Sequence, residues 1–331
     1  MNILVTMPDD GIRETFIPQE VRRQLERLGN VVWNQSCEQF SEQELKARLK
    51  DAEVCLTGWG CPLMDAQILE HASGLKLIAH TGGSVAALVS DAVYDKGIKV
   101  ISGNELYAES VAEGVIGYAL ASLRELPHFD REMKEGRWKP ESASNEGLLD
   151  QTLGLVGFGM VARSLVRMLA PFRVRVKAYS RPEDEPALRA HGVQPASLEE
   201  VFTTCKIISL HLPRLPQTHH MIDARLLAMI PPGAILINTA RGSVIDEAAL
   251  VRELQTGRFK AVLDVYEEEP LPEDSGLRKL DNAILIPHMA GPTVDRRKFV
   301  TLHLMEDIER FYAGEPMKYE ISRQYATGMT R

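Results

Sequence analysis

The chain has 331 residues, 44% hydrophobic and 25% charged, more than a single core usually organises, so two globular domains are expected and a disordered or fibrous chain is excluded. Its 38 Lys+Arg against 46 Asp+Glu give a net charge of -8, the wrong sign for tracking phosphates, which disfavours nucleic-acid partners. The cysteines Cys37, Cys55, Cys61 and Cys205 form no C-x-x-C pair, which points to reduced thiols, a cytoplasmic setting and no zinc site. The N-terminal apolar run has no basic start and is short, unlike a signal peptide. The apolar stretch 111–123 is interrupted by Glu113 and falls short of the roughly 20 residues a membrane span needs.

In chain order, short apolar runs at 3–6, 31–33, 54–57, 75–78 and 99–101 read as strands with helical patterns between them. Val21, Leu25 and Leu28 recur at helical spacing and stop at Gly29, and Ser41 with Glu44 forms a capping box. A long helix is expected over 108–126, followed by a polar segment, 131–144, containing Gly136 and Pro140. A second strand series follows at 153–156, 175–179, 207–210, 234–238, 261–264 and 283–286, with helices opening near Ala162, Ser197 and Asp246. Ser197 and Glu200 repeat the capping-box spacing. A final helix covers 294–312. Strand and helix alternating end to end is the pattern of α/β architecture with parallel sheets.

The segment Gly157-Phe158-Gly159-Met160-Val161-Ala162 follows a strand and opens a helix, the context in which G-x-G-x-x-A binds a dinucleotide. Gly157 makes the tight turn, Gly159 admits the pyrophosphate and Ala162 packs the helix closely on the strand. The helix N-terminus adds donors and partial positive charge. About 20 residues on, where a carboxylate would hold the ribose of NAD, stands Ser180-Arg181. Without that carboxylate and with a guanidinium present, NADP is favoured over NAD. The alternative is that Arg181 is a solvated charge and Glu183 or Asp184 takes the ribose from a shifted loop.

Three further motifs sit at strand ends: Asn238-Thr239-Ala240-Arg241-Gly242, Asp264 through Glu269-Pro270, and Pro287-His288-Met289-Ala290-Gly291. In one parallel sheet they share an edge with Gly157. A permanent cation, a carboxylate and an imidazole beside a dinucleotide suit reduction of a 2-oxo acid: the cation holds the carboxylate and the imidazolium gives a proton as hydride arrives.

Together these motifs resemble the D-isomer-specific 2-hydroxyacid dehydrogenase family over residues 75–293. The resemblance implies NAD(P)H-dependent reversible reduction of a small 2-oxo acid to a D-2-hydroxy acid, as in glyoxylate/hydroxypyruvate reductases. It assigns Arg241 to the substrate carboxylate, His288 to acid/base work and Glu269 to the partner that orients the imidazole and raises its pKa. It places Gly157, Phe158, Gly159, Met160, Val161, Ser180, Arg181, His211, Pro213, Thr218, Thr239, Ala240, Asp264 and Gly291 along the cofactor, with Asp264 at the carboxamide unless it is a structural turn residue. Formate enzymes of this resemblance carry glutamine where Glu269 stands. A phosphite oxidoreductase or a non-catalytic dinucleotide-sensing protein keeps the same fold. The resemblance also implies a homodimer formed through the cofactor domains.

The family's substrate loop, G-x-G-x-D/N, is replaced by His80-Thr81-Gly82-Gly83-Ser84. Backbone N–H groups at Gly82, Gly83 and Ser84 can form a small nest for a carboxylate; the alternative is a plain turn. Trp59 lines the substrate pocket or simply packs. His219 and His220, as sequence neighbours, should point apart, with no third ligand at metal spacing. The expected architecture is two Rossmann-like or flavodoxin-like parallel sheets, with a cofactor domain, 105–293, inserted into a substrate domain, 1–104 and 294–331.

Overall fold

A computed structural model describes residues 1–139 and 145–330. The chain divides into two compact units, Met1–Tyr107 with Pro292–Arg331, and Ala108–Gly291.

The first unit carries β1 (Asn2–Val5), β2 (Asn30–Trp33), β3 (Val54–Thr57), β4 (Leu77–His80) and β5 (Lys99–Ser102), in the order β2-β1-β3-β4-β5. All pairings are parallel. β3 and β4 are buried at every position, which is why they read as continuous apolar runs rather than alternating ones. Two apolar clusters form around them, one led by Leu45, Leu49 and Ile78 and the other by Val21, Leu25, Leu56 and Leu304. The second draws on the C-terminal helix Val294–Ala313, so chain from both ends closes this core.

Most of the local expectations hold. Val21 and Leu25 are the buried face of the helix Gln19–Leu28, and both hydrogen bonds of the Ser41–Glu44 capping box are formed. The helix Gly11–Phe16, capped by Asp10, was not anticipated, because six residues are too few to show a period. β4 lies two residues further along than expected, since Lys76 and Leu77 both donate to the Glu53 carbonyl and set the register there.

The second unit holds β6 (Thr152–Val156), β7 (Arg175–Tyr179), β8 (Gln194–Pro195), β9 (Ile207–Leu210), β10 (Ile235–Asn238), β11 (Lys260–Leu263) and β12 (Ala283–Leu285). Their order is β12-β11-β10-β9-β6-β7-β8. The chain winds outward from β6 to β8, then restarts at β9 on the other side of β6. That reversal is the switch point at which open α/β sheets bind ligands, beyond the strand C-termini. Gly154 in β6 admits the helix Leu198–Thr204, because a Cβ there would lie 2.6 Å from Val201 and 2.9 Å from the Cys205 sulfur.

Three expectations change in this unit. The long helix runs Asn104–Leu123 rather than 108–126, and a second helix, Leu126–Lys134, enters the polar segment 131–144, of which residues 140–144 lie outside the described residues. Ser197 caps its helix through the Glu200 N–H, but the reciprocal half of the box is absent because the Glu200 carboxylate pairs with Lys177 at 2.6 Å. The edge strand β8 was missed, being two residues long and ending in proline. All four cysteines are free, and among the described residues no helix is long and apolar enough to cross a membrane.

Candidate active site

In the second unit the glycine turn leaves β6 with Gly157 at φ +97°, its N–H donating to the Tyr179 carbonyl at 2.8 Å. A Cβ at this position would stand 2.6 Å from the His211 carbonyl oxygen, so the turn demands glycine both for conformation and for space. Gly159 begins the helix Met160–Leu169 with no side-chain cap and nothing within 4 Å of where a Cβ would be. An uncapped helix start over open space is suited to a phosphate. Ala162 is fully buried, and Phe158 packs inside the unit beneath the Arg163 guanidinium.

At the end of β7, Arg181 is 73% exposed and paired with Asp184 at 3.2 Å and Glu183 at 3.5 Å. The Ser180 hydroxyl also donates to Asp184, at 3.3 Å. The loop therefore brings a carboxylate, Asp184, to the strand end where the sequence shows none at the expected spacing.

Beyond β9, the His211 ring bonds to the Ser209 hydroxyl at 3.0 Å, and the burial of the ring pushes its pKa down to about 4. Thr218 donates to the Pro213 carbonyl at 2.6 Å and accepts from the Leu215 N–H at 3.0 Å, so its hydroxyl is spent on holding the Pro213–Leu215 turn. Thr239, after β10, has a buried hydroxyl without a hydrogen-bond partner, the kind of orphaned group that a bound molecule satisfies. The open glycine start and this orphan sit on one sheet edge, so the residues present fit a dinucleotide.

The Asn238 side chain staples the next turn, donating to the Arg241 carbonyl at 2.9 Å and accepting from the Ala240 N–H at 3.0 Å. Gly242 is obligatory: a Cβ there would be 1.8 Å from the Tyr266 carbonyl carbon. This contact presses the Arg241 turn against the loop carrying Glu269. Burial holds the Arg241 guanidinium below its usual pKa; the nearby Arg214 cation adds to this, and Glu269 opposes it.

Glu269 is held by the Tyr266 N–H at 3.0 Å, and its other oxygen lies 2.7 Å from His288 Nδ1. His288 itself has φ +53°, an uncommon conformation for a residue with a side chain. Asp264 sustains it. This carboxylate, 1% exposed, accepts from the Met289 N–H at 2.7 Å and the Ala290 N–H at 3.0 Å, the two residues directly after His288. Burial raises the pKa of Asp264 and the two backbone donors oppose the rise. Its contacts thus brace the His288 turn. Gly291 ends the unit.

His219 and His220 do not point apart: their rings stack at 4.0 Å and His220 pairs with Glu267. Among the described residues no group of three or more His, Cys, Asp or Glu could hold a metal ion.

In the first unit the loop after β4 is built around His80, which the sequence reading passed over. Its Nδ1 lies 2.9 Å from the Thr57 hydroxyl, and burial pushes its pKa down to about 4. Its Nε2 fills the place of a side chain at residue 82: a Cβ on Gly82 would be 2.3 Å away. Gly83 lies over the Tyr107 ring, and the carbonyls of Gly82 and Gly83 are held by the Gly103 N–H at 3.1 Å and the Ser102 hydroxyl at 3.0 Å. The two-glycine turn is therefore braced from below by an imidazole, itself held by Thr57. Trp59, 46% exposed, stands two residues beyond β3 and meets Phe16 and Tyr107 edge to face.

The family model described as D-isomer specific 2-hydroxyacid dehydrogenase, NAD binding domain, matches residues 116–290. A hydroxypyruvate reductase of Thermotoga maritima is 33% identical over 275 residues, 82% of this chain and 88% of that protein. A D-3-phosphoglycerate dehydrogenase of Methanocaldococcus jannaschii is 31% identical over 319 residues, 95% of this chain but 58% of its own length, so the chain spans little more than half of that relative. Among solved structures, a phosphoglycerate oxidoreductase from Rhizobium etli superposes with a TM-score of 0.81 at 27% identity, covering 98% of this chain and 99% of that one.

Proposed function

The chain belongs to the D-isomer specific 2-hydroxyacid dehydrogenase family of oxidoreductases, and from that premise we propose that it reduces a small 2-oxo acid reversibly to the D-2-hydroxy acid, in the manner of a glyoxylate or hydroxypyruvate reductase. The observation that carries this reading is the Glu269–His288 pair: Nδ1 is engaged at 2.7 Å, which fixes the ring and leaves Nε2 for the substrate. Protonated, Nε2 gives its proton to the carbonyl oxygen, and Glu269 stabilises the cation until then. Arg241 holds the substrate carboxylate and polarises the carbonyl beside it. Asp264 keeps the His288 turn in place through the two following N–H groups, a positioning role. A nicotinamide dinucleotide supplies the hydride; Gly157, Gly159 and the helix start would hold its phosphates, with Thr239 and Ala240 beside the ring.

The 108–291 unit is the cofactor domain and the 1–107/292–331 unit the substrate domain in this proposal, with Gly82 and Gly83 offering backbone donors to the substrate. For the 2′-phosphate that distinguishes NADP from NAD we assign Arg181 and Ser180, and hence a preference for NADP(H). The exposed Arg181 pair with Asp184 is worth about 0–1 kcal/mol, so a phosphate dianion can take the guanidinium from it. A homodimer through the cofactor unit fits the exposed apolar side chains Leu126, Met133, Trp138 and Leu149 in one stretch of that unit.

The test is absorbance at the reduced-nicotinamide band with purified protein, NADPH and NADH separately, and a panel including glyoxylate and hydroxypyruvate. Oxidation that depends on a 2-oxo acid supports the reading. Cofactor binding without turnover of any acid would overturn it in favour of phosphite oxidation or sensing.

A further inference from the structure

The first unit holds a cation that nothing above employs. Arg297, on the helix Val294–Ala313, places its guanidinium 5.6 Å from the Trp59 ring and 5.6 Å from the Phe16 ring. Its Nε donates to the Pro292 carbonyl at 3.2 Å and its Nη1 to the Thr15 hydroxyl at 3.3 Å. Nη2 has no hydrogen-bond partner among the described residues, and no carboxylate there lies within 4 Å of the group. A half-buried guanidinium, fixed by two rings and two hydrogen bonds yet unmatched in charge, is preorganised for an anion.

A second donor stands next to it. The Tyr107 hydroxyl is buried without a partner, and Tyr107 meets Trp59 edge to face at 6.4 Å. Burial keeps this phenol protonated, and Arg297 is close enough to oppose that shift electrostatically. The same Tyr107 ring underlies Gly83. Trp59 and the Gly82–Gly83 turn follow the ends of β3 and β4, which are register neighbours at Thr57 and His80. An aromatic floor, an unmatched guanidinium and an orphaned hydroxyl thus adjoin the turn already proposed to receive the substrate carboxylate.

We infer that Arg297 and Tyr107, over the face of Trp59, receive a second anionic group at the far end of the substrate, so that the favoured 2-oxo acid is a dianion bearing a distal carboxylate or phosphate. The inference rests on the proposed 2-oxo acid reduction. It assigns the length of the substrate to the Trp59 floor and its charge to Arg297, neither of which the charged groups of the second unit decide.

The experiment compares kcat/KM of the full chain for 2-oxo acids without a distal charge (glyoxylate, hydroxypyruvate), with a distal carboxylate (oxaloacetate, 2-oxoglutarate) and with a distal phosphate (phosphohydroxypyruvate). The wild type should favour one of the two dianionic arms, and which one identifies the group. Arg297→Met should lower kcat/KM for that arm about tenfold to a hundredfold, mainly through KM, as loss of a charged hydrogen bond does, while the arm without a distal charge stays within about threefold. Should Arg297→Met fail to fold, Arg297→Lys keeps a cation without the fork, and a fall of several-fold on the dianion alone is expected. An equal fall on all arms, or a wild type without preference for either dianion, would overturn the inference and leave 2-oxo acid reduction standing. Absence of turnover on every arm removes both.

Discussion

In the 108–291 unit the turns that carry the chemical groups are fixed through main chain. Asp264 grips the two N–H groups after His288, Asn238 staples the turn of Arg241, and Gly242 exists because the Tyr266 backbone leaves no room for a Cβ. In the other unit side chains do most of the holding: His80 is held by Thr57, Gly82 by the His80 ring, and Arg297 by Trp59 and Phe16. Backbone-held geometry dictates residue identity within a few positions of the functional group. Side-chain-held geometry leaves the neighbouring sequence free, so the two units should respond to mutation differently: the first kind in turnover, the second in substrate choice.

The sharpest way to break that contrast is His288→Gln. Removing a general acid costs about 10²- to 10⁴-fold in rate, so kcat should collapse with cofactor affinity intact; a near-normal kcat would take His288 out of the chemistry. Arg241→Ala should follow, lowering kcat/KM for every 2-oxo acid by about 10²- to 10³-fold, in line with losing a charge-assisted bidentate contact, and unchanged values would refute its role with the carboxylate.

A smaller effect probes one buried histidine in each unit. His80 and His211 are depressed to about 4 from 6.5, so between those pH values the unfolded chain binds more protons than the folded one. Stability therefore rises with pH across that window and is lost as pH falls through it, by about 3 kcal/mol for each residue. His80→Gln and His211→Gln should each flatten the dependence of the urea midpoint on pH from 6.5 to 4; profiles parallel to the wild type would contradict the assignment. The smallest expected change is at Arg181. Arg181→Ala should raise KM for NADPH about tenfold, the worth of one lost charged contact, with KM for NADH little moved. Equal changes would return the ribose to Asp184.

The same contrast explains what the sequence made legible. The parallel α/β architecture could be read because β3, β4 and β9 are buried throughout and mostly apolar, and Gly157, Arg241, Glu269 and His288 because each lies in a short motif at a strand end. Asp264 was visible as a motif residue, yet its grip on Met289 and Ala290 joins two loops and has no local signature. Asp184 reaches the end of β7 only because the short turn Pro182–Asp184 folds back. His80 had a signal that went unused, an imidazole at a strand end two residues before a glycine pair. Arg297 had none: nothing within its helix tells that Trp59, far away in the chain, lies across its face.

The most direct test runs the reaction backwards. Reduction of NADP+ and NAD+ is followed with paired D- and L-2-hydroxy acids on the wild type and on His288→Gln. The account predicts oxidation of the D enantiomer alone, lost in the variant. Turnover of the L enantiomer, or an undiminished rate in His288→Gln, would contradict it.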